Sequence, residues 1–188
     1  MSGGPARSFY EVLSVAQLAG PTIGSTTSTT SILPYQARFT LPAGFFDVVG
    51  KSIRIKALGQ LSSTAAAPGT ITWVVNFGTV ASPIAVFTSQ AVTMTTSAAN
   101  LTYDLELNLT CRSVATTNAT SATMVTAGRL LTAAASAGTV TLLPATSPTT
   151  GTGFDSTVTN TVDLQIAYSV AAAQNTTILQ YFSLESLN

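Results

Sequence analysis

The amino-acid sequence predicts an all-β fold. Apolar residues recur at every second position in several stretches, and Gly or Pro bounds each of these stretches. No stretch carries the three-to-four-residue period of a long amphipathic helix. Because 188 residues are enough for one domain with a single buried core, we expect one β-sandwich or barrel.

Residues 1–34 are expected to form an extended arm ahead of the folded domain, which then spans residues 35–188. The arm contains the low-complexity run GSTTSTTS at residues 24–31. Such a segment buries too little apolar surface to offset the conformational entropy of the chain unless it packs on something else. Two interpretations are open: a disordered tail, and an arm that a neighbouring subunit orders.

The first part of the domain is expected to hold three strands, at residues 35–41, 53–57 and 71–77, and residues 80–88 could pair back on the third. In each stretch apolar and polar residues alternate, and Gly or Pro follows, as near Gly59. The residues expected to face the core are Tyr35, Ala37, Phe39, Leu41, Ile53, Ile55, Ala57, Ile71, Trp73, Val75 and Phe77.

The clearest strand lies at residues 101–112. Six apolar residues, at the odd positions from Leu101 to Cys111, alternate with six polar ones, at the even positions from Thr102 to Arg112. Cys111 is therefore expected on the core face. A buried thiol there behaves as a small hydrophobic residue, so we expect no reactive role for it.

The last part of the chain carries weaker patterns. Strands are expected near residues 120–131 and 138–143, followed by a loop at residues 144–155 and two closing strands at residues 162–170 and 176–185. The total of about eight to ten strands favours a jelly-roll β-sandwich of about eight strands with the extended N-terminal arm. An immunoglobulin-like sandwich and an open β-meander are the alternatives.

Charge is scarce in this chain. Charged residues make up 7% of the sequence, against about 25% in a typical globular protein, and 33 Thr and 20 Ser supply much of the polarity. Seven basic residues balance seven acidic ones, so no net repulsion opposes self-association. The basic residues are scattered, which argues against binding nucleic acid. No run approaches the roughly 20 apolar residues of a membrane-spanning helix.

Hydroxyl-rich strands also bear on function. A face covered by Thr can be buried against another subunit without the desolvation cost of charged groups. The composition therefore favours a subunit of a closely packed assembly, and an ordinary secreted β-sandwich is the alternative.

The residues that most enzymes need are missing. The chain has no His and one Cys, so it cannot build a Ser-His-Asp or Cys-His catalytic group, an intramolecular disulfide or a multi-Cys metal site. Asp104 and Glu106 share a strand face about 7 Å apart, which fits paired-carboxylate hydrolysis, but a solvated strand face also accounts for them. A calcium site at Asp155 stays open. We expect no enzyme activity, no catalytic or cofactor-binding residues and no cofactor.

Three segments of the sequence resemble small structural proteins of tailed bacteriophages, especially those of actinobacterial hosts. The first is LPYQARFTLPAGFFDVVGKSIRIKALGQLS at residues 33–62, in which an LPAG turn precedes VGK and an alternating strand. The second is PGTITWVVNFGT at residues 68–79. The third is ILQYFSLESLN at residues 178–188, which looks like the closing strand of those proteins.

The resemblance implies a jelly-roll virion protein without catalytic residues. One possibility is a capsid decoration (cement) protein, which sits as homotrimers on the lattice of the major capsid protein at the capsid surface. The other is a minor tail or fibre protein that binds carbohydrate or a receptor. Because the sequence lacks the added receptor-binding domain of larger relatives, we expect capsid decoration. The tail alternative predicts exposed aromatic residues at one end, with Tyr10, Tyr35 and Phe154 as candidates.

Overall fold

A computed structural model of the chain describes residues 10–116, 120–133 and 138–187. Across these residues, thirteen β-strands and one turn of 3-10 helix build two antiparallel sheets that pack as a sandwich. The all-β prediction is confirmed. The strands are β1 (Glu11–Val15), β2 (Ile23–Gly24), β3 (Thr30–Ser31), β4 (Phe39–Leu41), β5 (Ser52–Ser62), β6 (Thr70–Gly78), β7 (Pro83–Thr88), β8 (Val92–Thr93), β9 (Leu101–Ser113), β10 (Thr123–Thr132), β11 (Thr139–Leu143), β12 (Asn160–Tyr168) and β13 (Thr176–Ser186).

The two sheets interleave distant parts of the chain. The larger sheet has the order β1-β13-β5-β9-β10-β11, and β2 also pairs with β13. The smaller sheet has the order β3-β12-β6-β7, with β4 also paired to β12 and β8 to β6. The last two strands of the chain therefore lie inside the sheets, between strands from the beginning and the middle of the sequence.

The alternation of β9 appears in the structure as the sequence predicts. Its odd-numbered residues from Tyr103 to Cys111 are fully buried, whereas Asp104 and Arg112 are exposed. This strand pairs along its length with β5 on one side and β10 on the other. The buried face of the larger sheet is thus centred on a strand whose inward positions are all apolar.

The N-terminal segment lies along both sheets of its own domain. Strands β1 and β2 pair with β13 in the larger sheet, and β3 pairs with β12 in the smaller one. Residues 25–29, the middle of the Ser/Thr-rich run, therefore connect the two sheets. Ile32 and Leu33, which follow β3, are buried in the core. Residues 1–9 of the expected arm lie outside the described residues.

The prediction of one continuous strand at residues 35–41 is wrong. Tyr35–Ala37 form the turn of 3-10 helix, in which the Ala37 N–H donates to the Pro34 carbonyl over 2.9 Å, and only Phe39–Leu41 pair with β12. Tyr35 is consequently 84% exposed instead of facing the core. The turn satisfies its own backbone groups, and Ala37 at its end is fully buried as predicted, so the chain stays against the core from Leu33 to Leu41 without one continuous strand.

Two predicted strand ends also move. Strand β5 continues through Gly59, where a Cβ atom would lie 2.6 Å from the Tyr103 hydroxyl and 2.2 Å from the Ile178 carbonyl oxygen. Glycine at this position therefore makes room for close packing and does not end the strand. Strand β12 ends at Tyr168, so Val170, the last residue of the strand predicted at residues 162–170, lies outside it and is 40% exposed.

Aromatic side chains join the two sheets across the core. Trp73 of β6 packs on Tyr103 of β9, with 5.0 Å between ring centroids, and both side chains are fully buried. At one end of the sandwich the rings of Phe46, Phe77 and Phe154 all contact one another. The centroid distances are 5.6 Å for Phe46–Phe77, 4.9 Å for Phe77–Phe154 and 5.7 Å for Phe46–Phe154. Such edge and stacked contacts add to the free energy gained from burying the rings.

Replacing Phe154 by Ala should lower the free energy of unfolding by about 3–5 kcal/mol, because the change removes a buried ring and leaves a cavity between Phe46 and Phe77. Chemical denaturation measures this effect. Tyr35→Ala is the matched control, since its exposed ring should change stability by less than about 0.5 kcal/mol. Equal effects of the two substitutions would contradict the position assigned to Phe154.

Alkaline pH should destabilise the fold through Tyr168, because burial raises the pKa of its hydroxyl from 10.0 to about 12. The unfolded chain releases this proton near pH 10 and the folded chain retains it to about pH 12, so the free energy of unfolding falls as the pH rises through this window. The expected loss is about 2–3 kcal/mol. Denaturation of wild type and Tyr168→Phe across this pH range should show a smaller loss in the variant, and identical losses would contradict the assignment.

Candidate interaction surface

The two acids considered for hydrolysis lie on the solvent side of β9. The Glu106 carboxylate is 3.6 Å from the guanidinium of Arg129 on β10, and Asp104 is exposed. Within the described residues, no group of three or more Cys, Asp or Glu side chains is placed to hold a metal ion. The pair is therefore arranged as the solvated face of a strand.

Cys111 lies on the core face, as predicted. It is fully buried, and its thiol donates to the carbonyl oxygen of Ser113 over 3.2 Å. Burial raises the pKa of the Cys111 thiol, so the thiolate that a nucleophile needs is disfavoured.

In the loop at residues 150–157, the two glycines and Asp155 have structural roles. A Cβ atom on Gly151 would lie 1.8 Å from the Val86 carbonyl oxygen, and one on Gly153 would lie 2.1 Å from that of Thr120. The Asp155 carboxylate accepts hydrogen bonds from the backbone and the hydroxyl of Thr157, at 2.8 and 2.6 Å. These glycines allow close backbone approach, and Asp155 stabilises a turn.

The aromatic residues considered for ligand binding divide into two groups. Tyr35 is 84% and Tyr10 is 57% exposed. Phe154 is fully buried, so its assignment as an exposed candidate is wrong. Its backbone exchanges two hydrogen bonds with Ala122, which pull this part of the loop against the sheet. The loop sequence lacks the period-two pattern from which that burial could have been predicted.

A buried carboxylate on β13 escaped the sequence interpretation. Glu185 is 4% exposed and lies 3.4 Å from the Arg54 guanidinium and 3.9 Å from the Lys56 ammonium, both on the neighbouring β5. Ser183 donates a further hydrogen bond over 3.2 Å. Tyr10 lies over Arg54, with 5.9 Å between the ring centroid and Cζ. This cluster joins β5, β13 and the beginning of the described chain.

A second buried carboxylate lies on β12. Asp163 is 8% exposed, and its Oδ1 is 3.5 Å from Arg38 Nε. Ser31 of β3 donates to the same oxygen, and the Gln165 amide donates to Oδ2 over 2.8 Å. The only sequence signal for either carboxylate was an acid inside a closing strand, which does not distinguish a paired, buried acid from a solvated one.

These contacts leave a surface of little charge. Among the described residues, five basic side chains lie in ion pairs with four acidic ones. An ion pair within one molecule presents a smaller field to a neighbour than its separate charges would. The surface can therefore approach another protein with little electrostatic cost.

The outer face of the larger sheet, meaning the side turned away from the smaller sheet, carries exposed apolar groups. Tyr181 lies opposite Leu58 across β13 and β5, and they are 43% and 39% exposed. On the edge strand β11, Val140 and Leu142 are 61% and 67% exposed. Apolar groups grouped on one face are typical of protein contact surfaces.

Concave sites in the described residues are small or open. A mostly apolar pocket of about 30 Å³ lies between the sheets near Ile71, Met94 and Leu130. An open groove of about 410 Å³ beside Phe46 and Ser156 contains one ionisable side chain, Asp47. Neither pocket brings together an acid and a base for catalysis. No helix in the described part of the chain has the length and apolarity to cross a membrane.

Two comparisons with known proteins were negative. No family model matches the sequence, and no curated protein matches it significantly. The candidate surface is therefore defined by its own geometry, a sheet face with exposed apolar side chains and charges that are largely paired.

Substituting Glu185 by Gln should lower the free energy of unfolding by about 1–3 kcal/mol. The change removes the partner of Arg54 and Lys56 from a buried position, and the partial exposure of both cations limits the loss. Glu106→Gln is the matched control, because the exposed pair with Arg129 should be worth less than about 1 kcal/mol. Denaturant unfolding of both variants compares the two losses, and equal values would contradict a special role for the Glu185 cluster.

Proposed function

We propose that this chain is a non-enzymatic structural protein of a virion, a jelly-roll subunit that decorates the head of a tailed bacteriophage. In this proposal it assembles as a homotrimer and binds the major capsid protein, which it reinforces as a cement protein. The observation that carries the proposal is the order of the strands in the two sheets.

The strand order supports a jelly-roll topology. In an eight-stranded jelly roll, the first, eighth, third and sixth strands form one sheet, and the second, seventh, fourth and fifth form the other. Taking β1, β4, β5, β6, β7, β9, β12 and β13 as the eight gives the sheets β1-β13-β5-β9 and β4-β12-β6-β7. The β10–β11 hairpin then extends the first sheet beyond its sixth strand.

The topology and the surface favour a role in an assembly. Jelly rolls are common in viral capsid proteins and in lectins. Zero net charge, exposed apolar groups on the outer face and the lack of His all fit a protein that packs against other proteins. The resemblance of residues 33–62 and 68–79 to phage structural proteins supports a virion as that assembly.

A minor tail or fibre protein is the second candidate, and one observation favours it. Tyr35 stands 84% exposed beside β4, as an aromatic platform for a sugar would. Under this candidate, wild type binds a glycan on an array and Tyr35→Ala does not. Absence of any glycan binding would remove this candidate.

Quantitative mass spectrometry of virions from the phage that encodes the chain tests the proposal. A copy number comparable with that of the major capsid protein is expected for a decoration protein. A few copies in each particle would indicate the tail candidate, and absence from virions would overturn both. Light scattering of the purified protein tests the trimer, and a stable monomer at micromolar concentration would contradict it.

A further inference from the structure

The outward-facing row of β9 crosses the middle of the outer face. It consists of Thr102, Asp104, Glu106, Asn108, Thr110 and Arg112. The row carries opposite charges near its two ends, Asp104 and Arg112, and both side chains are exposed. Neither belongs to an ion pair of the described residues, in contrast to Glu106 between them.

The spacing of these two charges is symmetrical. Asp104 and Arg112 each lie four residues from Asn108, which is therefore the midpoint between these two charges. Eight residues of strand place the charges about 27 Å apart, too far to pair within one molecule. Each charge is therefore available to a second molecule.

A two-fold axis between two facing copies satisfies both charges. If the axis crosses β9 at Asn108 at right angles to the strand, the two β9 strands lie antiparallel, and Asp104 of each copy faces Arg112 of the other. Facing sheets pack about 10 Å apart. Tilting the axis by about 15° from this right angle gives the crossing of about 30° that packed sheets prefer, and it offsets the strand ends by several ångströms. The long Arg side chain spans such an offset, so two equivalent ion pairs form.

The neighbouring strands are compatible with this arrangement. Leu58 on β5 lies level with Asp104, and the turn carrying Val48 and Val49 lies near the Arg112 end, because the Gly50 N–H donates to the Cys111 carbonyl. The axis therefore brings apolar Leu58 toward the end of β5 of the other copy that this turn precedes. Lys56 and Arg129 flank Glu106, and Ser52 and Val125 flank Thr110. The axis therefore sets Lys56 opposite the uncharged Ser52 of the other copy and Arg129 opposite its Val125.

Arg54 is level with Asn108 and lies near the axis, so the two copies of this residue approach each other. Its charge is matched by the buried Glu185 of its own chain, 3.4 Å away. Glu185 also pairs with Lys56, 3.9 Å away, so this cluster carries one more positive than negative charge in each copy, and the approach of the two clusters weakens the contact.

We propose that the outer face binds a second copy of this chain about a two-fold axis at Asn108, held by two Asp104–Arg112 ion pairs. Over this length β5, β9 and β10 face their counterparts and offer roughly 400 Å² per copy, well below the roughly 800 Å² per partner of a standard stable interface. The contact is therefore reversible and depends on its charges. It is separate from the three-fold contact of the proposed trimer and does not rest on the proposed function.

Charge reversal tests the contact. Sedimentation velocity over a concentration series of the full chain should show assemblies with an even number of chains. Asp104→Arg and Arg112→Asp should each weaken this association about tenfold or more, because each sets like charges together at both ends of the row. The double variant Asp104→Arg/Arg112→Asp should return to within about threefold of wild type, since the swap restores both pairs.

Two controls make the result decisive. Glu11→Arg makes the same charge change on exposed β1 and should leave association unchanged. Circular dichroism establishes that each variant is folded, and Asp104→Asn should show a weaker defect than Asp104→Arg. The proposal is overturned if wild type forms no even-numbered assembly, if the single reversals leave association unchanged, or if the double variant fails to recover it. A trimer with no two-fold contact would overturn this inference and leave the virion proposal intact.

Discussion

The pairing of the last two strands with much earlier ones is the constraint on which the rest of the fold depends. Strand β13 joins β1 and β2 to β5, and β12 joins β3 and β4 to β6. Without these two strands the N-terminal segment has no sheet partner and each sheet loses an interior strand. Contacts between such distant parts of the chain form slowly, because the long loops that they close cost entropy before the contacts contribute stability.

The two buried carboxylates strengthen the same constraint. Asp163 lies on β12 and meets Arg38 and Ser31 from the N-terminal part of the chain. Glu185 lies on β13 and meets Arg54 and Lys56 of β5. Three of the five ion pairs of the described residues, those of Arg38, Arg54 and Lys56, are thus placed where late strands meet early parts of the chain. That use of charge also explains why the outside is nearly neutral and suited to close contact with other proteins.

The sequence predictions were most accurate where apolar and polar residues alternate regularly. The alternation in β9 predicted the burial of Tyr103 and Cys111, because each strand position faces one side of a sheet and one side must be apolar. The same reasoning failed at Tyr35, where Pro34 and a local turn replaced the strand. At Phe154 no such pattern exists, because a loop residue has no periodic neighbours, and only packing against Phe46 and Phe77 decides where its ring lies.

The sequence by itself determined the all-β class, the inward residues of the long strands and the lack of His-based chemistry, since these follow from local period and composition. Only the tertiary structure decided which strands are neighbours, that Asp163 and Glu185 are buried with partners, and that the N-terminal segment belongs to both sheets. The alternation of apolar and polar residues along a strand predicts which way each side chain faces. Pairing between residues more than a hundred positions apart depends on how the whole chain closes its backbone hydrogen bonds and fills its core.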